Sequence, residues 1–489
     1  MRSVRITDIL LCQQFLNKTM LVDKTIKELS NGLQTKEFSS VDIVTECLST
    51  IKNNEHSINS FITQVDEHEI LDAAKQSDAN RSEQSSVLHG IPFVLKDAYV
   101  TKNIRTTSAS NVLKDFISPY NATVYDKLLA AGSILLGKMN MDAWGHGGSS
   151  ENTDFGAVHN PWDTTRSAGG SSGGPAAAIA SRMTPFAIGE DTGGSIRNPS
   201  AWCNTTGLKV TYGRVSRYGS IAYASSFDTV GPMGKTVEDC AYILEAIAGI
   251  DPKDATSSPM PVPKYTEGLQ KKIENITIGI PKEFFGEGLD VEVKTAIDAA
   301  VKEFEKLGIV CKSISMPMFE YGIPIYYLIG PSETSSNLAR YDGIRFGNDR
   351  TNFTEETMRR IMIGTYALSA GYYDAFYHQA QKARTMFIEE YQKALKECTA
   401  LVMPVMPTPA TKLGELLNNP LQNLLADVYT VTQNPVGVPS LALPCGFTKS
   451  KLPIGMQIVG SMFSEEMLLH IGYQYQQVTS WHTMKPAIK

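Results

Sequence analysis

Gly169-Gly170-Ser171-Ser172-Gly173-Gly174-Pro175-Ala176-Ala177-Ala178, the strand-like stretch 184–189, and Asp191-Thr192-Gly193-Gly194-Ser195-Ile196-Arg197 follow one another closely in this chain. Four glycines around two serines make a poor helix and a poor strand, because glycine loses the most backbone freedom on ordering. Such residues let backbone approach another group closely, or give the serines unusual dihedrals. The alanine-rich run behind them reads as a helix, with Pro175 tolerated in its first turn. The loop therefore stands at a helix N-terminus, where free N–H groups gather. Loop, helix, strand and second loop in that order are the pattern of a layered α/β protein.

Working outward, the pattern continues on both sides. Helices are expected over 22–33, 40–53 with Ser40 as N-cap, and 66–79. An apolar strand over 90–96 ends at Lys96, followed by a helix over 122–131 and a strand over 133–136. Beyond the glycine-rich region come a helix over 236–248 and a strand–helix–strand unit over 276–280, 291–307 and 311–315. Long helices dominate 332–396, and strands return over 400–405, 441–444 and 455–459. Strands alternating with helices throughout argue for one large α/β domain around a mostly buried sheet. No repeat, low-complexity tract or linker divides it.

The composition excludes several classes. The chain has 489 residues, 42% hydrophobic, with Lys+Arg 45 against Asp+Glu 51 and a net charge of -6. That balance lacks the basic footprint of an independent nucleic-acid binder, so any RNA would be held mainly by a partner. No apolar run approaches the roughly 20 residues of a membrane span, so a soluble protein is expected. The seven cysteines are scattered and form no CxxC pair, which argues against a disulfide framework or a zinc site and for a reducing compartment. The first twenty residues hold Arg2, Arg5 and Lys18 against Asp8. They read either as an organellar transit peptide or as an ordinary first helix.

Several chemistries compete for the glycine loops. A phosphate loop needs GxxxxGK[ST]; the nearest match, Gly132 to Gly137-Lys138, is followed by Met139 and lacks the hydroxyl. Gly169-Gly170-Ser171-Ser172-Gly173 fits the GxSxG nucleophile elbow, which requires a late histidine. The candidates His378, His470 and His482 lie in helical or terminal context. The second loop favours another arrangement, since Ser195 lies 24 residues beyond Ser171 and follows two glycines at a strand end. Successive N–H groups of Thr192, Gly193 and Gly194 can point into one pocket and serve as an oxyanion hole. The plainer reading of that loop is a tight turn before Pro199, braced by an Asp191–Arg197 pair.

Lys96, the GGSSGG loop and DTGGSIRNPSAW, in this order and spacing, resemble the amidase signature family. The resemblance implies one α/β domain over 22–489, with a central mixed sheet covered by helices on both faces, preceded by an extension over 1–21. It implies a Ser–Ser–Lys triad: Ser195 as nucleophile, Ser171 in a cis peptide as bridging serine, and Lys96 as buried base. A lysine serves as a base near neutrality only when desolvated. Otherwise Lys96 reads as a surface residue paired with Asp97.

Within the family the chain is most similar to the glutamine-hydrolysing (A-type) components of glutamyl-tRNA(Gln) amidotransferases, through the segments 211–219, 225–232, 335–343 and 367–374. That likeness implies glutamine hydrolysis, with ammonia passed to a B subunit, while a small third subunit completes the complex. The misacylated tRNA, ATP and magnesium belong to the partner, and no cofactor or metal to this chain. Glutamine would be bound by Tyr326, Arg360 and Asp427. An arginine suits its α-carboxylate, an aspartate its α-ammonium, and a tyrosine hydroxyl can orient either. A stand-alone amidase for a small or aryl amide is the alternative. The segment before Met358 is shorter than usual, which with the basic start points to a fungal-type version in the mitochondrial matrix; the alternative location is the cytoplasm.

Overall fold

The computed structural model describes residues 20–344 and 347–488, so the expected transit peptide lies outside the described residues apart from Met20 and Leu21. In chain order the strands are β1 (Phe61–Gln64), β2 (Pro92–Lys96), β3 (Ile134–Met139), β4 (His159–Asn160), β5 (Asp163–Ser167), β6 (Phe186–Asp191), β7 (Thr206–Lys209), β8 (Thr229–Gly234), β9 (Thr277–Pro281), β10 (Val310–Ile314), β11 (Ala400–Pro404), β12 (Ser440–Phe447) and β13 (Pro453–Val459). Eleven of them form one mixed sheet in the order β1-β3-β2-β6-β8-β7-β12-β13-β11-β9-β10, while β4 and β5 pair separately. The run β3-β2-β6 and the run β11-β9-β10 are parallel, and the centre between them is antiparallel.

Every residue of β2, β6, β7, β8 and β13 is buried. Alternate side chains leave a strand from opposite faces, so both faces of this sheet are covered. The cover comes from helices such as Gly173–Ala180, Val237–Ile247, Val291–Lys306 and Glu465–Val478, which pack against strands of the sheet. The helix Gly173–Ala180 has no exposed residue, and its run of alanines suits a position wedged among other elements.

Most expected elements fall within a few residues of their place. One cap is corrected: Ser39, not Ser40, closes the helix Ser40–Ile58, through a reciprocal bond pair with Asp42. The central strands β7 and β8 were not expected, because Gly207, Gly231, Pro232 and Gly234 look like turn residues. A Cβ on Gly231 would sit 2.1 Å from the Leu208 carbonyl, so glycine is there for backbone contact between neighbouring strands.

Because β2 and β6 are parallel neighbours, their carboxyl ends share one edge of the sheet. Lys96 and the turn after Asp191 therefore arrive at the same place.

Candidate active site

Lys96 and Asp97 leave the end of β2 in opposite directions, as successive strand residues must. Asp97 pairs with Lys138 from β3 at 2.9 Å, so the surface-pair reading of Lys96 does not hold. The Lys96 amine is fully buried and donates to Ser171 Oγ at 2.7 Å and to the Glu190 carbonyl at 3.4 Å. Burial draws this lysine below its usual range, and the carboxylates of Glu190, Asp142, Asp191 and Asp228 oppose that shift.

The loop around Ser171 is closed on every side. Its Gly170–Ser171 peptide is cis. The Ser171 carbonyl accepts from Asp142 N–H at 3.3 Å and Ser150 Oγ at 3.4 Å. The Asp142 carboxylate in turn receives the N–H groups of Ser150 and Asn152 at 2.8 and 3.1 Å. A Cβ on Gly170 would lie 2.0 Å from that carboxylate, which explains the glycine. Ser172 N–H donates to the Ser195 carbonyl at 3.0 Å and binds the two serine loops together.

Ser195 keeps 7% of its surface exposed, and its hydroxyl has no protein partner among the described residues. Beneath it, the Asp191 carboxylate accepts Gly194 N–H at 2.8 Å, Ile196 N–H at 3.1 Å and two bonds from Arg197 at 2.9 and 3.0 Å. Burial opposes ionisation of Asp191, yet the Arg197 guanidinium holds its carboxyl well below the usual range. Arg197 also reaches Gln457 Oε1 at 2.9 Å, the Thr430 carbonyl at 2.8 Å and Asn434 Oδ1 at 2.8 Å. The expected Asp191–Arg197 brace is thus present. It corrects the oxyanion set, because the Gly194 N–H is already bonded to Asp191. The N–H groups of Thr192 and Gly193 have no acceptor among the described residues.

Tyr326, Arg360 and Asp427 come together beside this turn, linked through Tyr223 and Tyr327. Tyr326, on the helix Gly322–Asn337, presses against Gly193, where a Cβ would meet its hydroxyl at 2.5 Å. Arg360, on Glu355–Ala367, donates to Tyr223 Oη at 2.5 Å and to Glu356 Oε1 at 2.8 Å. Its guanidinium lies 5.2 Å from the centre of the Tyr327 ring, and the Tyr327 hydroxyl donates to Asp427 Oδ2 at 2.8 Å. Burial raises the Asp427 carboxyl to about 6, against the Tyr327 bond and the Arg360 charge. A fixed cation and an ionisable acid are thus joined through Tyr327.

Three residues of this pocket escaped the sequence reading: Tyr223, Tyr327 and His146. His146 sits 3.2 Å from the hydroxyls of both Thr334 and Thr357 and meets Tyr223 edge-on at 4.6 Å. An aromatic ring at a helical position reads as core, so only the adjacency of Tyr327 to Tyr326 and the four-residue spacing of Glu356 and Arg360 offered a signal. Among the described residues no group of His, Cys, Asp and Glu is arranged to hold a metal ion, and no helix is long and apolar enough to cross a membrane.

Comparison with known proteins agrees with this geometry. The amidase family pattern matches residues 42–469. The A-type component of glutamyl-tRNA(Gln) amidotransferase from Methylococcus capsulatus is 46% identical over 479 residues, covering 95% of this chain and 99% of the relative. The corresponding protein of Azotobacter vinelandii is 47% identical over 478 residues, covering 94% and 99%. A crystal structure of the same amidotransferase component from Thermotoga maritima superposes with a TM-score of 0.83 at 34% identity, covering 96% of this chain and 99% of that one. A sheet edge that gathers a sealed lysine and two serines, and near full-length identity of this size, lead to one assignment: the chain belongs to the amidase family.

Proposed function

We propose that this chain is the glutamine-hydrolysing subunit of a glutamyl-tRNA(Gln) amidotransferase, using Ser195, Ser171 and Lys96. The observation that carries the reading is the 2.7 Å contact between the Lys96 amine and Ser171 Oγ in a sealed space, one backbone hydrogen bond away from Ser195. Ser195 Oγ attacks the side-chain amide carbon of glutamine. Its proton passes through the Ser171 hydroxyl to the neutral Lys96 amine. The N–H groups of Thr192 and Gly193 receive the developing oxyanion, each worth about 3 kcal/mol in such sites. Gly194 acts through its bond to Asp191, which holds the turn open. Collapse of the intermediate breaks the C–N bond as the same relay returns the proton to the leaving nitrogen, which departs as ammonia, and water then cleaves the γ-glutamyl ester on Ser195.

Arg360 suits the α-carboxylate of glutamine, Asp427 its α-ammonium, and Tyr326 the space between them and the turn. A neutral aryl amide would draw on neither the Arg360 nor the Asp427 charge, so the stand-alone amidase is the weaker reading. The names of the relatives support a complex of several subunits. In it, a B subunit would take the ammonia, hold the tRNA and use ATP with magnesium, and a small third subunit would complete the assembly. This chain would need no cofactor of its own. The basic start of the chain supports a place in the mitochondrial matrix.

The test is ammonia release from glutamine by the assembled complex carrying Ser195→Ala. Activity is expected to fall roughly 10^4-fold or more with the complex intact. Retained glutaminase activity in that variant would end the reading.

A further inference from the structure

Lys96 has a second neighbour that the relay leaves unused. Glu190, one residue before the end of β6, directs its carboxylate into the same closed space. Its Oε2 lies 3.6 Å from the Lys96 amine, with the side chains 2% and 0% exposed. Its Oε1 accepts from Ser220 Oγ at 2.8 Å, and its carbonyl receives both the amine at 3.4 Å and Ser172 Oγ at 3.2 Å.

Other carboxylates surround the lysine, but each is engaged elsewhere. Asp142 holds the N–H groups of Ser150 and Asn152. Asp191 holds Arg197. Asp228 receives the Thr192 hydroxyl at 2.7 Å and the N–H groups of Tyr223 and Ala224. Among the described residues, Glu190 is the acid that forms an ion pair with Lys96.

Resting on the assignment of Lys96 as base, we propose that Glu190 is a positioning residue that orients the Lys96 amine and sets, with it as a pair, the pH range over which Ser195 is activated. With the amine neutral and Glu190 ionised, the pair carries one negative charge. The proton arriving from Ser195 through Ser171 then creates an ammonium beside a carboxylate, and the pair becomes neutral. A lone buried amine would instead have to become a lone buried cation, which costs far more away from water. Delivering the proton to the leaving nitrogen restores the starting pair.

The wider surroundings act in the same sense. Burial pushes Lys96 down and Glu190 up, and each charge opposes the shift of the other. Arg217 favours the ionised form of Glu190, while Asp228, pushed up to about 8 by burial and by Glu190, lies beyond it. Burial raises Asp142 to about 7, and the buried Tyr99 hydroxyl is bonded to the Gly189 carbonyl. Removing Glu190 therefore deprives the lysine of the largest charge favouring its protonated form.

The test is the rate at which phenylmethylsulfonyl fluoride labels Ser195 as a function of pH, in the full chain with its partner subunits. This readout needs no glutamine turnover. In Glu190→Gln the rising limb of the labelling profile is expected to move toward acid by roughly one to three pH units. Ser220→Ala keeps the carboxylate but removes a donor to its charged form, so its limb should move the same way by less. A merely structural role for Glu190 would change the height of the profile and leave its midpoint in place. An unmoved midpoint in Glu190→Gln overturns the proposal; if that variant fails to fold, an unmoved midpoint in Ser220→Ala does so. Absence of labelling in the parent protein, by contrast, would remove the triad assignment itself and this proposal with it.

Discussion

The loop over 169–174 and the turn over 192–195 are built from the same residue types, yet the structure treats them differently. Ser171 is wholly buried, its hydroxyl bonded to Lys96 and its carbonyl held by Asp142 and Ser150. Ser195 stands on a braced turn with its hydroxyl reachable and without a protein partner among the described residues. The glycines follow the same division. Gly170 yields to a carboxylate of its own scaffold, whereas Gly193 yields to Tyr326 from the pocket wall. A hydroxyl enclosed on every side can only pass protons, and one left open can meet a substrate.

That division can be broken by substitution. Ser171→Ala removes the relay but leaves the nucleophile, so kcat is expected to fall about 10^2- to 10^4-fold. Slow sulfonyl-fluoride labelling at Ser195 should persist, in contrast with Ser195→Ala, where labelling is lost. A Ser171→Ala complex within a few-fold of the parent in glutaminase rate would show that the buried serine is only scaffold.

Gly193→Ala sharpens the contrast from the pocket side. Its Cβ would meet the Tyr326 hydroxyl at 2.5 Å, so the ring or the turn must move. Overpacking of this kind costs about 1–3 kcal/mol, which corresponds to roughly 5- to 150-fold in kcat/KM. Steady-state kinetics on glutamine would measure it, and unchanged values would separate Tyr326 from the substrate.

The smallest effect at neutral pH concerns Asp427, whose carboxyl burial raises to about 6. Above that value it is ionised and can hold an α-ammonium; below it the partner charge is lost. Glutamine binding to the inactive Ser195→Ala complex, followed by calorimetry, is therefore expected to weaken as pH falls through about 6, approaching tenfold per pH unit. Asp427→Asn should bind weakly and show no such dependence. A flat profile in the Ser195→Ala complex would remove Asp427 from the binding site.

Much of the architecture was legible from local pattern. Apolar runs bounded by turns and helices with amphipathic spacing located β2, β3, β6 and β9 to β13 within a few residues. The strands β7 and β8 were not legible, because Gly231 and Pro232 carry turn propensity and only a packed neighbour such as Leu208 makes glycine an asset there. The site divides similarly. Ser171 and Ser195 stand in recognisable loops, Lys96 closes a recognisable strand, and Arg360 shares a helical face with Glu356. Tyr223 carries no such mark, since a tyrosine in a pocket wall and one in a core have the same local sequence, and Tyr327 is marked only by its place beside Tyr326. Glu190 carries no mark either, since an acid at a strand end has the same local sequence whatever it faces.

Sequence alone determined the glycine–serine turns, the lysine closing a strand and the alternation of strands with helices, because each depends on residues close together along the chain. Which charges meet was decided only in three dimensions. Lys96 could have paired with Asp97 beside it; strand geometry sends the two apart, and sheet order brings Lys138 to Asp97 and Ser171 and Glu190 to Lys96. The registration of distant strands chooses a buried amine's partners, and no short stretch of residues carries that information.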